Sequence, residues 1–234
     1  MQIVFAPEYS EGESFTLSKE ESSHIVRVLR MREGEEVLLT DGRGQMFCCE
    51  IVDANPNRCS LNIKSAYPNS DERNFYIHLA VAPTKNIARI EWLLEKVTEM
   101  GVDEITPLLC EHSERKTLNS ERLDKILVSA MKQSLKSYKP KLNPLTKLKD
   151  FLPKAKEQIK LLAYCGQEEK YLIKDICAPK SSYLVLIGPE GDFSQKEIEL
   201  AKDNGFRFLT LGPQRLRTET AGLFAVANLH FINQ

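Results

Sequence analysis

The chain has 234 residues, of which 42% are apolar, with 32 Lys and Arg against 33 Asp and Glu. This composition is typical of one or two globular domains, and it excludes collagen-like, coiled-coil and intrinsically disordered proteins. The formal net charge of −1 leaves a nucleic-acid partner open, because a sum does not show how charge is distributed along the chain.

The sequence predicts a cytoplasmic protein without a membrane segment or a metal site. Its N-terminus lacks the basic and apolar regions of a signal peptide, and its apolar runs are far shorter than the roughly 20 residues of a membrane helix. The 6 cysteines form no C-x-x-C pair and the 4 histidines stand alone. Their spacing therefore indicates neither a zinc site nor a disulfide framework, and buried free thiols are the simpler interpretation.

Residues 1–70 are predicted to form a small antiparallel β-barrel, because short strands alternate there with turn signals. The predicted strands cover 2–5, 36–40, 45–52 and 60–66. Asp41 and Gly42, between the second and third strands, are a strong hairpin signal.

A short helix is predicted within this region, over residues 19–29. Ser18 and Glu21 have the three-residue spacing of a capping box, which marks a helix start. Arg27 and Arg30 lie three residues apart on this helix and therefore share a face.

The polar segment 67–73 has the composition of a linker, and an α/β domain is predicted over residues 74–234. Strands alternate with helices there, which is the pattern of a mostly parallel sheet. The predicted strands cover 75–82, 104–109, 159–165, 182–187 and 207–211. The predicted helices cover 86–100, 120–137, 195–204 and 218–231.

Two loops that follow buried strands carry the residue types of a binding site. Segment 187–194 reads IGPEGDFS, and segment 211–222 reads LGPQRLRTETAG. Their glycines permit close backbone approach to a ligand, and the helix that Ser194 and Glu197 cap is expected to supply free N–H groups. Either loop alone is better explained as a plain turn. Together they favour one pocket, because ligands bind beyond the carboxyl ends of parallel strands.

These two segments resemble the signature of the ribosomal RNA small-subunit methyltransferase E family. Similar segments are HIVRVLRMREGEEVLLTDGRG near the N-terminus, EKVTEMGVDEITPLLCEHSERK in the middle and KQSLKSYKP near 132–140, so the resemblance spans nearly the whole chain. It implies a SPOUT-class enzyme that methylates N3 of a uridine in 16S rRNA. S-adenosylmethionine would be the methyl donor, S-adenosylhomocysteine the product, and no metal would be needed.

The resemblance also implies an architecture. The N-terminal part would be a PUA-like β-barrel that binds RNA. The C-terminal part would be an α/β domain with a mostly parallel sheet and the trefoil knot of SPOUT proteins, a rare exception to unknotted connections. The working unit would be a homodimer that acts on the small ribosomal subunit during ribosome biogenesis.

Carried over residue by residue, the resemblance assigns a donor pocket with two walls and an edge. The first wall would be Ile187, Gly188, Pro189, Glu190 and Gly191. The second would be Leu211, Gly212, Leu216, Arg217, Thr218, Glu219, Thr220 and Ala221. Tyr164 and Cys165, at the end of the preceding strand, would form the edge.

Three segments depart from the family's usual pattern. Asp192 follows Gly191 where a second glycine is common. Residues 214–217 read QRLR where R-I-L-R is usual, and residues 132–136 read KQSLK where E-Q-S-G-R is usual. These changes affect individual RNA and loop contacts more than the reaction.

The chemistry of the implied reaction selects catalytic candidates. Uracil N3–H is a weak acid, so methyl transfer needs the proton removed or the developing anion stabilised. Arg217 or Arg215 is the candidate cation for the base oxygens. Glu219 either accepts a proton or holds Arg217 in position, and it is equally well explained as a carboxylate in the first turn of a helix, where the dipole favours it.

The charge distribution selects candidate RNA contacts. Residues 131–160 contain nine lysines and two acidic residues, a local formal charge of +7, whereas residues 1–73 sum to −5. The lysine run is either a solvated face or a phosphate-binding edge. The candidate RNA-binding residues are Arg27, Arg30, Lys85, Lys132 and Lys136.

Two alternative functions stay open from the sequence. One is a SPOUT methyltransferase that modifies another RNA position. The other is a non-catalytic RNA-binding factor of ribosome assembly with a vestigial pocket, although Gly188, Gly191, Arg217 and Glu219 are intact.

Overall fold

A computed structural model describes residues 1–67, 73–166 and 168–234. The chain divides into two compact units. The N-terminal unit contains Met1–Glu72 and Val128–Lys139, and the C-terminal unit contains Arg73–Leu127 and Pro140–Gln234. Most of the predicted linker at 67–73 lies outside the described residues.

The N-terminal unit is built on one five-stranded sheet. Its strands are β1 (Ile3–Phe5), β2 (Ser14–Thr16), β3 (Glu36–Thr40), β4 (Met46–Asp53) and β5 (Ser60–Ala66), in the order β1-β3-β4-β5-β2. The β3–β4 and β4–β5 pairs are antiparallel, as predicted. Strand β2, which was not predicted, also pairs with β5 in antiparallel orientation. The prediction is wrong for β1, which pairs with β3 in parallel. A parallel pair needs a long crossover, and the 30 residues between these strands supply one.

The predicted helix over 19–29 is shorter and partly irregular. Ser18 Oγ caps α1 (Lys19–Ser23) by accepting the Glu21 N–H at 3.2 Å. The chain then forms a π-helical turn over His24–Val28, in which Leu29 N–H donates to His24 O at 3.0 Å. Arg27 and Arg30 are both exposed, but Arg30 lies beyond the helix at φ +57°. The shared helical face predicted for these two arginines is therefore wrong.

The C-terminal unit contains a seven-stranded sheet in which every described pair is parallel. Its strands are β6 (Tyr76–Val81), β7 (Glu104–Leu109), β8 (Lys141–Leu142), β9 (Thr146–Lys147), β10 (Ile159–Ala163), β11 (Ser182–Ile187) and β12 (Arg207–Leu209). The order is β12-β10-β11-β6-β7-β8, with β9 also paired to β7. The predicted mostly parallel sheet is confirmed.

Helices cover both faces of this sheet. They are α2 (Ile87–Met100), α3 (Ser120–Gln133), α4 (Leu148–Phe151), α5 (Ile173–Ile176), α6 (Gln195–Asp203) and α7 (Thr218–Phe231). On β11, Val185 packs into the cluster that contains α2 and α7, and Leu184 and Leu186 pack into the cluster that contains α4 and α6. This alternation gives three layers, and it explains why β11 is an almost continuous apolar run.

The long helix α3 ends earlier than predicted. It stops at Gln133, and Leu135 follows with φ +53°. A left-handed residue ends the helical path, so Lys132 and Lys136 do not share one helical face. None of the described helices is both long and apolar enough to cross a membrane.

Candidate functional site

A cavity of about 960 Å³ lies at the carboxyl ends of β10, β11 and β12. Three segments that follow these strands line it, together with one side chain from α2. The lining residues are Arg89, Ala163, Tyr164, Cys165, Lys170, Ile187, Gly188, Pro189, Glu190, Asp192, Leu209, Thr210, Leu211, Gly212, Pro213, Gln214, Arg215, Leu216, Arg217, Thr218 and Ala221. Both loops predicted from the sequence therefore border one cavity.

The lining includes all the predicted donor-pocket residues except Gly191, Glu219 and Thr220. Of the candidate catalytic residues, Arg215 and Arg217 line the cavity. Among the charged lining residues, Arg89, Lys170 and Asp192 were not predicted from the sequence. Arg89 lies more than 70 residues before the first loop, so no local motif could have identified it.

Thr218 joins the two loops. It is 6% exposed, and its Oγ1 donates a hydrogen bond to Gly188 O at 3.1 Å. A buried hydrogen bond between segments 30 residues apart holds the cavity walls at a fixed separation.

Asp192 joins the first loop to the edge of the cavity. Its Oδ2 accepts the Cys165 N–H at 3.2 Å, and its Oδ1 accepts the Phe193 N–H at 2.8 Å. The residue has φ +62°, a left-handed conformation that aspartate tolerates better than most residues. The Asp192 carboxylate thus makes two hydrogen bonds that a glycine at this position could not make.

The glycines of the first loop allow close packing behind the cavity. A Cβ atom at Gly188 would lie 3.1 Å from the Phe193 ring, and one at Gly191 would lie 3.2 Å from His112 Cβ. His112 Nδ1 also lies 3.1 Å from Gly191 O and 3.0 Å from Asp192 O, so it holds this turn as a donor.

The N-terminus of α6, which was expected to offer free N–H groups to the ligand, does not line the cavity. The predicted capping box is present, with Glu197 Oε2 accepting the Ser194 N–H at 2.9 Å and Ser194 Oγ accepting the Glu197 N–H. Glu197 Oε1 also accepts the Glu111 N–H at 2.8 Å. The box satisfies the Ser194 and Glu197 N–H groups, and residues 194–197 are not part of the cavity lining.

The N-terminus of α7 is the open helix end at the cavity. Arg217 occupies its N-cap position without a side-chain cap, and Arg217 and Thr218 both line the cavity. The first N–H groups of a helix have no partner within the helix, and the helix dipole places partial positive charge there. This end can bind a negatively charged or hydrogen-bond-accepting group.

Glu219 contacts a residue other than the one predicted. Its Oε1 lies 3.7 Å from Arg89 Nε, and the pair joins the first turn of α7 to the first turn of α2. Glu219 is 8% exposed, and its Oε2 is buried without a hydrogen-bond partner among the described residues. The structure thus gives Glu219 an arginine from another helix in place of Arg217.

Four cationic side chains and two carboxylates line the cavity. The cations are those of Arg89, Lys170, Arg215 and Arg217, and the carboxylates are those of Glu190 and Asp192. Glu190 Oε1 accepts the Lys85 N–H at 3.0 Å, which fixes it at the rim. The net positive lining favours an anionic ligand group or substrate.

Tyr164 supplies a neutral polar group to the cavity edge. Burial raises the pKa of its phenol, and the neighbouring charges of Glu168 and Asp192 raise it further. The phenol is therefore protonated at neutral pH and can donate a hydrogen bond into the cavity.

The candidate RNA contacts differ in availability. Lys132 Nζ lies 2.7 and 2.8 Å from the two Glu21 carboxylate oxygens and is 17% exposed, so it stabilises the N-terminal unit and is not a free phosphate ligand. Lys85 Nζ pairs with Glu114 at 2.9 Å, which raises the Lys85 pKa. Lys136 is half-buried. The lysine-rich segment is itself divided between the two units.

The described part of the chain contains no group of three or more His, Cys, Asp and Glu side chains placed to bind a metal ion. The cavity lining instead combines aliphatic side chains, loop backbone and cations. This is the donor set of an organic ligand site.

Comparison with known proteins assigns the chain to a family. The family model of the RNA methyltransferase domain matches residues 71–230, and that of the RNA methyltransferase PUA domain matches residues 17–64. A curated relative, ribosomal RNA small subunit methyltransferase E of Aquifex aeolicus, is 28% identical over 97% of this chain and 98% of its own length. The chain belongs to the ribosomal RNA small subunit methyltransferase E family.

Solved structures agree with membership of this methyltransferase E family. A probable rRNA-methyltransferase from Porphyromonas gingivalis is 38% identical, with a TM-score of 0.92 over 100% of this chain and 98% of that chain. A ribosomal RNA small subunit methyltransferase E from Neisseria gonorrhoeae, solved bound to S-adenosyl methionine, is 27% identical, with a TM-score of 0.91 over 100% and 98%. The α/β fold and the PUA region expected from the sequence are confirmed.

Proposed function

We propose that the protein transfers a methyl group from S-adenosylmethionine to N3 of a uridine in 16S rRNA of the small ribosomal subunit. The observation that carries this proposal is the cavity at the ends of β10, β11 and β12, with its two loops joined by Thr218 and Gly188. The Neisseria relative, aligned over the whole chain, was solved with the same donor.

The residues of the cavity fit this donor. A volume of about 960 Å³ suits a ligand that combines a nucleoside with an amino acid. Leu209, Leu211 and Leu216 offer apolar surface to the adenosine. The open N-terminus of α7, with Arg217 at its N-cap, suits the donor's carboxylate. When bound, the donor supplies an electrophilic methyl group on a sulfonium sulfur.

The chain's own residues then have three tasks. Backbone groups of loops 187–192 and 209–217 hold the donor, since these segments supply most of the lining. The cavity walls shield the transfer from water on the protein side. The cationic side chains that line the cavity counter the negative charge that develops on uracil when N3 loses its proton.

We also propose two domains and an RNA-binding role for the first. Residues 1–70 would form the PUA-like domain and residues 74–234 the methyltransferase domain. The exposed Arg27 and Arg30 of the N-terminal unit are suited to phosphate contacts, because arginine binds phosphate with several donors at once. Segment 128–139 is an exception to this division, since it packs within the N-terminal unit.

We further propose that the working unit is a homodimer formed through α2 and α7. Trp92 on α2 is 42% exposed, and Phe224 and Phe231 on α7 are 45% and 75% exposed. Large aromatic side chains exposed on neighbouring helices suit an interface. A Trp92→Glu, Phe224→Glu variant should elute as a monomer in size exclusion with light scattering, and an unchanged mass would contradict this interface. The trefoil knot stays a prediction from the family resemblance.

Donor binding and product analysis test the proposed function. Calorimetry with S-adenosylmethionine should give saturable binding, and no binding at millimolar donor would leave only a non-catalytic role. Small subunits from a strain lacking the protein should then gain 3-methyluridine on incubation with protein and donor. Appearance of a different methylated nucleoside would transfer the assignment to another RNA position.

A further inference from the structure

The pair formed by Arg89 and Glu219 lies at the cavity but is not explained by donor binding. Arg89 is the third residue of α2, where the positive end of the helix dipole disfavours a cation. Another interaction must compensate for this, and the Glu219 carboxylate at 3.7 Å is suitably placed. The ion pair thus holds the Arg89 guanidinium at the cavity, although the positive end of the helix dipole disfavours a cation there.

Close packing of the two helices brings these side chains together. Gly222 lies three residues after Glu219 on α7, and Leu93 lies four residues after Arg89 on α2, so each follows one turn later on its helix. A Cβ atom at Gly222 would lie 3.0 Å from Leu93 Cδ2, so only glycine permits this approach without displacement. The Arg89–Glu219 pair is therefore held by a rigid helix contact.

Glu219 has an incomplete set of partners. Its Oε2 is buried and has no hydrogen-bond partner among the described residues. A buried carboxylate is costly unless a cation compensates for it, and Arg89 is the cation the structure provides. Arg89 keeps 37% of its side chain exposed and lines the cavity, so its remaining N–H groups can reach a ligand.

The geometry of uracil determines which group the site must provide. The N3–H bond and the N3 lone pair of the anion point in the same in-plane direction, so a base in contact with that proton would occupy the path of the methyl group. The proton must therefore leave first, to solvent hydroxide with formation of water. The negative charge then spreads over N3, O2 and O4, and a cation at O2 or O4 stabilises it.

We propose that Arg89 is the residue that stabilises the uracil anion at O2 or O4, and that Glu219 positions Arg89 instead of removing the proton. The N3 lone pair then forms the N–C bond as the C–S bond breaks onto sulfur, which cancels the negative and positive charges. This inference rests on the proposed function. It favours Arg89 over the exposed Arg215 and Arg217, because the Glu219 carboxylate orients Arg89 and catalysis needs a group preorganised for the transition state.

The first experiment compares Arg89→Gln with Arg122→Gln. Arg122 is a matched control, because it pairs with Glu91 of α2, the helix that carries Arg89, but does not line the cavity. Single-turnover methylation of small subunits at saturating donor should fall about 100-fold for Arg89→Gln, the size expected for loss of one transition-state donor. The Arg122→Gln variant should keep the wild-type rate. A wild-type rate for Arg89→Gln would overturn the proposal.

Chemical rescue tests the role assigned to Arg89. Subunits reconstituted with 16S rRNA transcribed from 5-fluorouridine triphosphate carry uracils with a more acidic N3, since fluorine withdraws electrons. On this substrate, the ratio of the wild-type methylation rate to the Arg89→Gln rate should be at least tenfold smaller than on uridine. On uridine, the methylation rate of Arg89→Gln should keep rising with pH where the wild-type rate has levelled off. An unchanged deficit on both readouts would mean that Arg89 does not act on the anion.

A double-mutant cycle tests the positioning role of Glu219. If Glu219 acts through Arg89, Glu219→Gln should slow the reaction, and the Arg89→Gln, Glu219→Gln double variant should be no slower than Arg89→Gln alone. If the rate loss of the double variant equals the product of the two single losses, Glu219 acts independently of Arg89, for example as a general base. That result would overturn the positioning role of Glu219.

Donor affinity separates this inference from the proposed function. The dissociation constant of S-adenosylhomocysteine, measured by calorimetry, should change less than threefold in Arg89→Gln. A tenfold larger dissociation constant would instead indicate that Arg89 binds the donor carboxylate. If wild-type protein forms no 3-methyluridine at all, the proposed function fails. If wild-type protein forms it and Arg89→Gln is unimpaired, only the inference fails.

Discussion

The hydrogen bond from Thr218 to Gly188 should control both stability and donor affinity. The change Thr218→Val keeps the volume but removes the hydroxyl that donates to Gly188 O at 3.1 Å. The side chain is 6% exposed, so water cannot readily replace the lost partner. Loss of the bond and of the carbonyl's partner costs about 1–3 kcal/mol in the free energy of unfolding.

This cost can be measured by thermal unfolding. For a chain of this size each kcal/mol shifts Tm by about 2–4 °C, so Thr218→Val should lower Tm by between about 2 and 12 °C. Because the bond also fixes the two cavity walls, the rise in Tm on addition of S-adenosylhomocysteine should be smaller than in wild type.

Two matched variants isolate the hydroxyl. Thr218→Ser keeps the donor and should retain most of the donor-induced rise in Tm. Thr117→Val makes the same chemical change at an exposed threonine and should shift Tm by less than about 1 °C. Wild-type stability and donor affinity in Thr218→Val would refute the view that this bond holds the site together.

Four further variants test three separate features. Gly212 has φ +107° and Gly34 has φ +84°, and a Cβ atom at either would meet nothing within 4 Å. Alanine at either position should therefore cost about 1 kcal/mol of backbone strain. Only Gly212→Ala should weaken S-adenosylhomocysteine binding in calorimetry, and equal affinities of the two variants would contradict a role for Gly212 in the cavity. Asp192→Ala keeps a positive φ and loses both backbone hydrogen bonds, so it should lower the free energy of unfolding in urea by about 2 kcal/mol, and an unchanged value would show that Asp192 does not join the segments. Burial alone would raise the pKa of Glu104, but hydrogen bonds, the largest from Tyr76, outweigh it and lower the pKa to about 2. A depressed folded-state pKa gives stability that is present above the unfolded pKa and lost as pH falls toward 2. The free energy of unfolding in urea should therefore fall below pH 4.5, by up to about 3 kcal/mol from Glu104, and the fall should be smaller in Glu104→Gln.

Local patterns predicted most of the secondary structure because their causes are local. The hairpin at Asp41 forms because the Asp41 carboxylate accepts the Arg43 and Gln45 N–H groups at 2.7 and 3.1 Å. Asn86 caps α2 through the Ala88 N–H, and Gly101 ends this helix at φ +96°. Each interaction spans at most four residues, so the residue types alone indicate it.

The structure departs from the predictions where the cause is non-local or the residue type gives no signal. Leu135 adopts a positive φ without being glycine, so nothing in the sequence marked the end of α3 before it. Lys132 forms an ion pair with Glu21, 111 residues away in the sequence. Because of this pair, the Lys132 ammonium group is not a free phosphate ligand. A sequence shows the charge of such a residue but not its partner.

The candidate site was predicted in part for the same reason. The two loops were found because glycine, proline and threonine follow buried strands in a recognisable order. Arg89 and Lys170 were missed because they enter the cavity from other segments. The Ser194 cap was predicted correctly, but the helix end that it caps does not line the cavity.

Nucleoside analysis of small-subunit rRNA tests the central claim most directly. Purified 16S rRNA from a strain lacking this protein, and from the same strain with the gene restored, would be digested to nucleosides and measured by mass spectrometry. We predict that 3-methyluridine disappears on deletion, returns with the wild-type gene, and stays reduced with the Arg89→Gln gene. Persistence of 3-methyluridine in the deletion strain would contradict the proposed function.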